Sequence, residues 1–530
     1  MKKRMKMYLF VGLAVGVVIL GGCSSSAKEK GNGKNADADF HIIRRGFQDV
    51  RPAANELWMW QEREKDSGVK VNFEEITDAA ISEKKNVLLA SKDQPDAYYG
   101  MNFSNSEIAK YGSQGLFIPL EELIAKNAPN IQKIFDDYPE IKASLTQPDG
   151  HIYSLPYLNL EDNTKKLYFN KVWLDKLGTK VPTNLDEFYT VLKRFKTEDP
   201  NGNGIADEQG WYNDTTNSFG NTLERQIMGA YGLINGGDFS TSALFYLKEK
   251  ELKLTVTDSR YKEVLKYEKK LYDDGLINQQ TFGNVTKEKW LADGSNGVIG
   301  AYTEAGPAQF GNYQQDYVGI TALEGPNGDR LAVAYPPVAS PSAMMLTKAN
   351  KNPAKLLKWI DYMYSDEGII LGSLGKEGVT YEEKAGKKVY KDDILNYKDG
   401  VQLGAFQWVD NVYGGGYPYV EPSYEVNANA KNQTIDEAWQ WADDASHSHD
   451  FIPELIGDLP TTDEEANKVT PILNDMGKYI TQMRVNFITG KTDIDSEWDT
   501  YVNQLEKLGS KEYLKIKQEQ YNRYRTAMEK

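Results

Sequence analysis

The segment from residue 40 to residue 115 decides the fold class. It contains FHIIRRG (40–46), NELWMWQEREKDSG (55–68), VKVNFEEI (69–76), PDAYYG (95–100) and SNSEIAKYGSQG (104–115). The first, third and fourth stretches are short and apolar and are bounded by Gly, Pro or Asp, which predicts strands. The second and fifth are amphipathic and predict helices between them. Strands that alternate with helices are typical of an α/β layer with a parallel sheet.

The same alternation continues down the chain. PTNLDEFYTVLKRFKTE (182–198) predicts a helix that Thr183 or Asn184 caps. Its apolar stripe consists of Leu185, Phe188, Leu192 and Phe195. NGVIGAY (296–302), YVGITALEG (317–325) and SAMMLTK (342–348) predict further strands. From Asn352 onward the pattern is mostly helical, with a Gly-rich aromatic break at FQWVDNVYGGGYPYVEP (406–422).

The N-terminus predicts secretion. Residues 1–22 combine a basic start, a short apolar run and small residues, which is typical of a signal peptide. LGGC, ending at Cys23, is similar to a bacterial lipobox, in which that cysteine is lipidated; the alternative is an incidental cysteine beside an ordinary signal peptide. Residues 23–38 have the Ser, Gly, Asn and Lys composition of a flexible tether. We therefore expect a lipid-anchored protein on the extracellular face of the cytoplasmic membrane.

Composition limits the classes of function. The chain has 530 residues and a net charge of −15, so nucleic acid is a poor partner. It contains 33 Tyr and 10 Trp but only four His, a balance that favours flat recognition surfaces over metal or general-base chemistry. Its single cysteine excludes internal disulfides. About 490 residues follow the tether, which is enough for two large lobes.

DPNGNGIADEQG (199–210) has the pattern of a cation-binding loop. Oxygen donors alternate around two glycines; the candidate ligands are Asp199, Asn201, Asn203, the Ile205 carbonyl, Asp207 and Glu208. Hard oxygen ligands in this number favour Ca²⁺. The loop differs from an EF-hand because its twelfth position is Gly210 and no exiting helix is predicted, so a static clamp is expected. The alternative is a metal-free Asn-Gly surface turn.

Several of these stretches carry a family resemblance. With GLFIPLEELI (115–124), APNI (128–131), DGHIYSLPY (149–157), LYDDGLIN (271–278) and KNPAKLLKWIDYMYSDEG (351–368), they resemble extracellular solute-binding proteins of ABC importers. The resemblance is to the large lipoprotein group related to alginate-binding and maltose-binding proteins, and it runs from about Phe40 to Gly378. It implies a type II periplasmic-binding-protein-like fold, in which two α/β lobes close on a sugar. It also implies delivery of that sugar to a membrane permease, and a structural calcium in the 199–208 loop.

On this basis the expected lobe division is approximate. The N-lobe comprises residues 39–158 and 342–425, and the C-lobe comprises residues 159–341 and 426–530. The calcium loop falls in the C-lobe. We expect a monomer that binds an oligosaccharide and the permease subunits.

The predicted sugar site combines aromatic faces with polar side chains. Strand-end loops place Phe47, Asn102 and Phe103 at the cleft. The resemblance suggests a stacking role for Tyr302, with Glu304 nearby, and places Tyr157 and Asn159 in the first segment that crosses between lobes. Trp211 follows the calcium loop, and Trp408 and Asp410 lie in the aromatic break. For every aromatic the alternative is core packing.

Other functions stay open at this point. A secreted glycan hydrolase with two carboxylates is one alternative, although the sequence shows no nucleophile elbow, zinc-protease motif or phosphate loop. A surface receptor for peptides is another. DDASHSHD (443–450) could bind a transition metal, but a solvated turn is the simpler interpretation. The saccharide itself, and whether it carries uronate charge, does not follow from the sequence.

Overall fold

The computed structural model describes residues 38–47, 50–161, 164–213, 222–235, 244–283, 285–304, 310–410, 417–431 and 448–529. The strands are β1 (Phe40–Gly46), β2 (Val71–Thr77), β3 (Ala97–Tyr99), β4 (Leu155–Leu158), β5 (Thr164–Asn170), β6 (Gln209–Trp211), β7 (Phe245–Lys248), β8 (Glu251–Leu254), β9 (Ile299–Glu304), β10 (Tyr317–Ile320), β11 (Val333–Ala334), β12 (Val338–Leu346), β13 (Tyr381–Lys384) and β14 (Lys387–Tyr390).

The α-helices of the described residues are α1 (Trp58–Ser67), α2 (Ile81–Ala90), α3 (Asn105–Ser113), α4 (Glu121–Asn127), α5 (Pro129–Asp137), α6 (Pro139–Leu145), α7 (Lys171–Leu177), α8 (Leu185–Thr197), α9 (Thr222–Ala230), α10 (Ser259–Asp273), α11 (Lys287–Ser295), α12 (Pro353–Asp361), α13 (Asp366–Ser373), α14 (Asp392–Leu395), α15 (Val401–Phe406), α16 (Tyr424–Ala430), α17 (Ser448–Phe451), α18 (Asp463–Ile488), α19 (Ile494–Lys507) and α20 (Ser510–Met528). None of these helices is both long and apolar enough to cross a bilayer.

The first sheet has the strand order β2-β1-β3-β12-β4. β1 pairs in parallel with both β2 and β3, which confirms the α/β layer predicted from the opening segment. β12 joins antiparallel to β3 and to β4. Apolar residues from β1, β3 and β12 are buried on both faces of this sheet, as a covered parallel sheet requires. We call this sheet and the helices packed on it the first lobe.

The second sheet has the order β10-β5-β9-β6, with β11 paired to β5. β6 runs parallel to β9, and β5 is antiparallel to β9, β10 and β11. One face packs in a large core with α8, α9 and α10, and the other carries an aromatic cluster. We call this sheet and its helices the second lobe. The two-lobe α/β architecture predicted from the sequence is thus present.

Local sequence explains the helix that enters the second core. The Asn184 side chain accepts a hydrogen bond from the Glu187 backbone N–H at 2.9 Å, so Asn184 caps α8. Of the two caps predicted from the sequence, Asn184 is therefore the one that forms. The predicted stripe, which comprises Leu185, Phe188, Leu192 and Phe195, is buried. This amphipathic pattern was strong enough to place the helix from sequence.

The chain passes between the lobes in two adjacent segments. One connects β4 to β5 and the other connects β11 to β12. They are linked to each other, because the Asn159 backbone N–H donates to the Pro337 carbonyl at 2.9 Å. Further along the chain, Ala430 belongs to the first core and Ile456 to the second. The exact lobe boundaries predicted from the sequence stay predictions.

The C-terminal helices reach both lobes. α18, α19 and α20 pack on α10 and on the β7-β8 hairpin of the second lobe. α20 also contacts α6 of the first lobe, where Ala143 is fully buried against it. The sequence predicted a mostly helical region here but did not indicate the β13-β14 hairpin within it.

Candidate functional site

One edge of each sheet lies at the passage between the lobes. Because β4 leads into β5, the carboxyl end of β4 and the start of β5 lie at the passage between the lobes. The carboxyl ends of β1, β2 and β3 lie at the same edge of the first sheet, and the ends of β6, β9 and β10 at the corresponding edge of the second. Ligands of open α/β sheets bind at such strand ends. The site is therefore built from the residues of these two edges.

Phe47 follows β1 at the edge of the first sheet and is half-buried. The Arg45 guanidinium lies 4.8 Å from its ring centroid and that of Arg51 lies 5.5 Å away. Tyr417 meets the ring edge-on at 6.4 Å. Arg45 and Arg51 therefore both pack on Phe47 at this strand end. The sequence did not indicate these contacts. Both arginines are buried, with Arg45 paired to Asp78 and Arg51 to Asp410, so it is the half-buried ring of Phe47 that can offer an apolar face to a ligand.

Asp410 is not available to a ligand, which corrects its predicted role. Its side chain is 1% exposed and accepts two hydrogen bonds from Arg44, at 2.9 and 3.0 Å, and one from Arg51. Burial would raise the pKa of Asp410, but the two guanidinium groups outweigh burial and lower it. Arg44 is itself fully buried, over the rings of Tyr99 and Tyr417. The group fixes the aromatic break to β1.

Trp408 lies two residues before Asp410 and is more exposed than the ion pairs that Asp410 forms. It is half-buried, and its ring meets that of Trp58 edge-on at 6.2 Å. The neighbouring Gln407 side chain donates to the Val50 carbonyl at 2.9 Å, so the pair lies beside the loop that follows β1. This placement leaves part of each indole accessible. Trp408 is therefore kept as a candidate ligand contact.

Tyr157 and Asn159 lie at the end of β4, where the first passage begins. The Tyr157 hydroxyl donates to Glu421 Oε2 at 2.7 Å, and the Asn159 amide donates to the same oxygen at 3.2 Å. Tyr157 is only 6% exposed and packs on Tyr419 at 4.9 Å between centroids. The hydroxyl is thus engaged within the protein, which differs from the predicted ligand contact. No sequence pattern had indicated Glu421.

Glu304 ends β9 at the edge of the second sheet. It lies between two ammonium groups, with Lys165 at 3.1 Å and Lys287 at 3.2 Å. Burial would raise the pKa of Glu304, but the two lysines outweigh it and lower the pKa. Neither lysine was predicted; in the sheet register Glu304 lies opposite Lys166, the neighbour of Lys165. The three side chains form a charged group that can exchange hydrogen bonds with a polar ligand.

Three predicted aromatic contacts are core residues in this structure. Tyr302 is 0% exposed and stacks on Tyr168, with centroids 4.9 Å apart and planes at 11°. Trp211 is 2% exposed and its indole N–H donates to Thr303 Oγ1 at 3.1 Å. Phe103 is 3% exposed and packs edge-on to Phe117. The core-packing alternative describes all three, because no face of these rings is accessible to a sugar.

Asn102 is the exposed residue of the strand-end loop after β3. Its φ of 52° is in the left-handed region that Asn tolerates better than most residues. Its carbonyl accepts a hydrogen bond from Lys85 Nζ at 3.1 Å, and its side chain is exposed. Asn102 therefore stays a candidate polar contact.

The 199–208 loop is compact and rich in oxygen. Asp199 accepts backbone hydrogen bonds from Gly202 at 3.0 Å and from Gly204 at 3.2 Å. The amides of Asn201 and Asn203 both donate to Asp207. The loop is followed by β6 and not by a helix, which confirms its difference from an EF-hand. Among the described residues, no group of three or more His, Cys, Asp and Glu side chains is arranged as a metal site.

Glu208 has the most unusual environment in the loop. It is 1% exposed, and its Oε1 atom has no hydrogen-bond partner. Burial raises the pKa of Glu208, and the negative charges of Asp207 and Asp199 raise it further. The buried unpaired oxygen of Glu208, close to the charges of Asp199 and Asp207, is the feature of this loop that fits a hard cation, although the side chains are not arranged as a metal site.

The remaining predictions concern residues outside the described ranges. The signal peptide, Cys23 and the tether lie in this part of the chain, and most of the 443–450 stretch does too.

Comparison with known proteins gives the family. A family model for the bacterial extracellular solute-binding protein matches residues 48–370. The fructooligosaccharide ABC transporter substrate-binding protein FusA of Streptococcus pneumoniae is 29% identical over 489 residues, which cover 89% of this chain and 87% of FusA. A FusA structure in complex with kestose aligns with a TM-score of 0.68 at 27% identity, covering 92% of this chain and 99% of that one. FusA has also been solved as an EF-hand mutant with fructo-nystose, with a TM-score of 0.66 at 26% identity, covering 92% and 99%.

Two further structures share the fold. An HMO-binding, ABC-transporter-associated solute-binding protein from Bifidobacterium longum infantis aligns with a TM-score of 0.74 at 25% identity, covering 92% of this chain and 98% of that one. The alginate-binding protein AlgQ2, solved without calcium ion, aligns with a TM-score of 0.68 at 24% identity, covering 92% and 98%. The family match spans more than half of the chain, and this family is extracellular and non-enzymatic, as predicted. The chain belongs to the bacterial extracellular solute-binding protein family.

Proposed function

We propose that the protein is the substrate-binding lipoprotein of an ABC importer, which captures an oligosaccharide between its lobes and delivers it to the permease. The observation that carries the proposal is the pair of strand-end edges at the passage between the lobes. One edge presents the ring of Phe47, which packs on two buried arginines, and the other presents Glu304 between two lysines. Sugars offer apolar ring faces and hydroxyl groups, so they need both kinds of partner.

The relatives support the substrate class. FusA, which resembles this chain over most of its length, is described as binding fructooligosaccharides. Phe47, Trp408, Asn102, Asn159 and Glu304 are the proposed contacts, because all of them are at least partly exposed at or beside the two edges. The accompanying proposal is that the protein acts as a monomer, with the sugar and the permease as its partners.

A thermal-shift screen tests the substrate class. Kestose, longer fructooligosaccharides, neutral glucans and uronate oligosaccharides are each added to the purified protein. A ligand at 100 times its Kd stabilises the folded state by about 2.7 kcal/mol, which is measurable as a rise in Tm. We expect at least one oligosaccharide to produce this rise. A response to peptides and to no saccharide would favour the peptide-receptor alternative.

Variants locate the ligand. Phe47→Ala and Trp408→Ala should each lower the affinity for the best saccharide by roughly 1 to 3 kcal/mol, as removal of aromatic anchors commonly does. Tyr302→Ala is the matched control, because that ring is enclosed in the core. Unchanged affinity in both exposed variants would move the sugar site away from this edge.

We also propose a structural Ca²⁺ in the 199–208 loop. Asp199, Asn201, Asn203, Asp207, Glu208 and the Ile205 carbonyl would hold it. The support is the unpaired buried oxygen of Glu208 beside two other carboxylates, together with a FusA structure described as an EF-hand mutant. A bound divalent cation would neutralise these charges and stabilise the loop that leads into β6.

Membrane attachment through lipidated Cys23 is the last part of the proposal. It rests on the lipobox-like sequence at Leu20–Cys23 and on the polar composition of residues 23–38. The family is extracellular, so a lipid anchor with a flexible tether would keep the protein near its permease.

A further inference from the structure

A cavity with both apolar and polar lining lies in the first lobe, close to the passages between the lobes. Its volume is about 60 Å³, which is large enough to hold water. Its lining includes Tyr419, Glu421, Asn427 and Lys431. Lys431 is the last described residue before the chain returns to the second lobe. The acidic side chain of Glu421 and the basic side chain of Lys431 thus line the same small cavity.

Glu421 connects this cavity to the passages. Its backbone N–H donates to the Leu158 carbonyl at 2.7 Å, which extends the sheet edge beside β4. Its carboxylate accepts from the Tyr157 hydroxyl and the Asn159 amide, the last residues before the first passage. Asn159 in turn is hydrogen-bonded to Pro337 in the second passage. The Glu421 carboxylate therefore binds the end of β4 and the start of the first passage, and the first passage is itself hydrogen-bonded to the second.

We propose that Glu421 is a positioning residue: its charge, balanced by Lys431 across the cavity, holds the passages in one arrangement and so limits the relative orientations of the two lobes. Hydrogen bonds to an ionised acceptor are roughly twice as strong as neutral ones. Loss of the charge therefore loosens the hold on Tyr157 and Asn159 without removing the acceptor. The part of the proposal that concerns ligand affinity rests on the proposed saccharide binding.

The electrostatic surroundings make this charge sensitive to pH. Burial raises the pKa of Glu421; the hydrogen bonds from Tyr157 and Asn159 and the charge of Lys431 lower it only in part, and Glu161 raises it. Tyr419 is the other titratable group packed against it. Burial also lowers the pKa of Lys431. Ionised Glu421 therefore costs folding stability, and this cost appears as pH rises from 4.5 through the raised pKa.

Because ionisation of Glu421 lowers folding stability, the effect of removing its charge on the free energy of unfolding distinguishes a positioning role from a structural one. Glu421→Gln keeps the size and an acceptor oxygen but removes the charge. A merely structural carboxylate would lower the free energy of unfolding when replaced. A positioning carboxylate whose ionisation is unfavourable leaves that free energy unchanged or higher, while the lobes become less restrained.

The primary test measures inter-lobe distances without ligand. In a Cys23→Ala chain, which otherwise has no cysteine, Val87 of α2 and Val172 of α7 are replaced by Cys and spin-labelled. These positions are 70% and 52% exposed and lie in different lobes. Pulsed electron paramagnetic resonance then gives the distance distribution for the parent, Glu421→Gln, Tyr157→Phe and Lys431→Met. Glu382→Gln on β13 is the control, since its side chain is 53% exposed.

We expect the distribution at neutral pH to be broader in Glu421→Gln and Tyr157→Phe than in the parent and the control. The parent should broaden as pH falls through the raised pKa of Glu421, and Glu421→Gln should not respond. Identical distributions in Glu421→Gln and the parent would overturn the proposal. A fall in unfolding free energy with unchanged distances would show a structural role and would also overturn it.

Affinity gives a second readout. If kestose binds the parent, Glu421→Gln should weaken its Kd about tenfold, whereas Glu382→Gln should not change it. Equal Kd values in Glu421→Gln and the parent would contradict the link to binding. Failure of kestose to bind the parent concerns the proposed function alone, because the distance measurement needs no ligand.

Discussion

Replacement of Asp410 by Asn tests the reassignment of this residue from the ligand site to the core. Asn has nearly the same size but no charge, so the change removes the counter-charge of two buried guanidinium groups. Arg44 is 0% exposed and Arg51 is 4% exposed. Another carboxylate, Glu75, lies 3.7 Å from Arg44 Nε and compensates only part of the loss.

The size of the effect follows from burial. Breaking a buried ion pair by removing one partner costs about 3 to 5 kcal/mol, since it leaves a buried charge uncompensated. Two cations lose their partner here, so we expect a loss of at least about 3 kcal/mol in the free energy of unfolding. Asp78→Asn is the control: Asp78 pairs with Arg45 at 3.5 Å but its side chain is 62% exposed. Pairs of that kind contribute about 0 to 1 kcal/mol.

Urea denaturation at several pH values measures this difference. The pKa of Asp410 is lowered below the model-peptide value of 3.8, so its stabilisation is complete above that value and is lost as pH falls through the folded-state pKa. The gap between wild type and Asp410→Asn should therefore shrink from about pH 6 to about pH 3. Unchanged stability together with a lost affinity for saccharide would show that Asp410 belongs to the ligand site.

Four further predictions address other parts of the account. Cys23→Ala should move the protein from the membrane fraction to the medium, and retention through detergent-free washing would contradict lipidation. Asp207→Ala should lower Tm in calcium but hardly in chelator; identical wild-type Tm values in calcium and chelator would exclude the metal. Tyr302→Ala should cost about 3 to 5 kcal/mol of stability while saccharide affinity changes little; the reverse result would make Tyr302 a ligand contact. The hydrogen bond to Glu121 raises the pKa of His151, so its stabilisation is present below pH 6.5 and lost as pH rises; a His151→Gln deficit measured by denaturation should shrink from about pH 5.5 to about pH 8.5, and a constant deficit would argue against the pair.

The sequence predicted those parts of the fold that local pattern controls. The strands of the opening segment and the α8 helix have the expected residues on their buried faces, because period and capping are encoded within a few residues. The β13-β14 hairpin was missed because its strands of four residues carry too little alternation to separate them from the surrounding helices.

The candidate site was predicted less well, for a physical reason. Whether Phe47 is accessible and Tyr302 is enclosed depends on partners far away in sequence, such as Tyr417 and Tyr168. An aromatic residue at a strand end has the same local pattern in both cases. Glu421 was missed for the same reason: its importance comes from contacts more than 250 residues away along the chain.

The central claim is that this chain binds an oligosaccharide, and isothermal titration calorimetry of the purified protein tests it most directly. The titrants are kestose and the neutral and uronate oligosaccharides of the screen. We expect a saturable heat for at least one of them, with one saccharide bound per folded chain. No measurable heat for any saccharide, from protein shown to be folded by its cooperative unfolding transition, would contradict it.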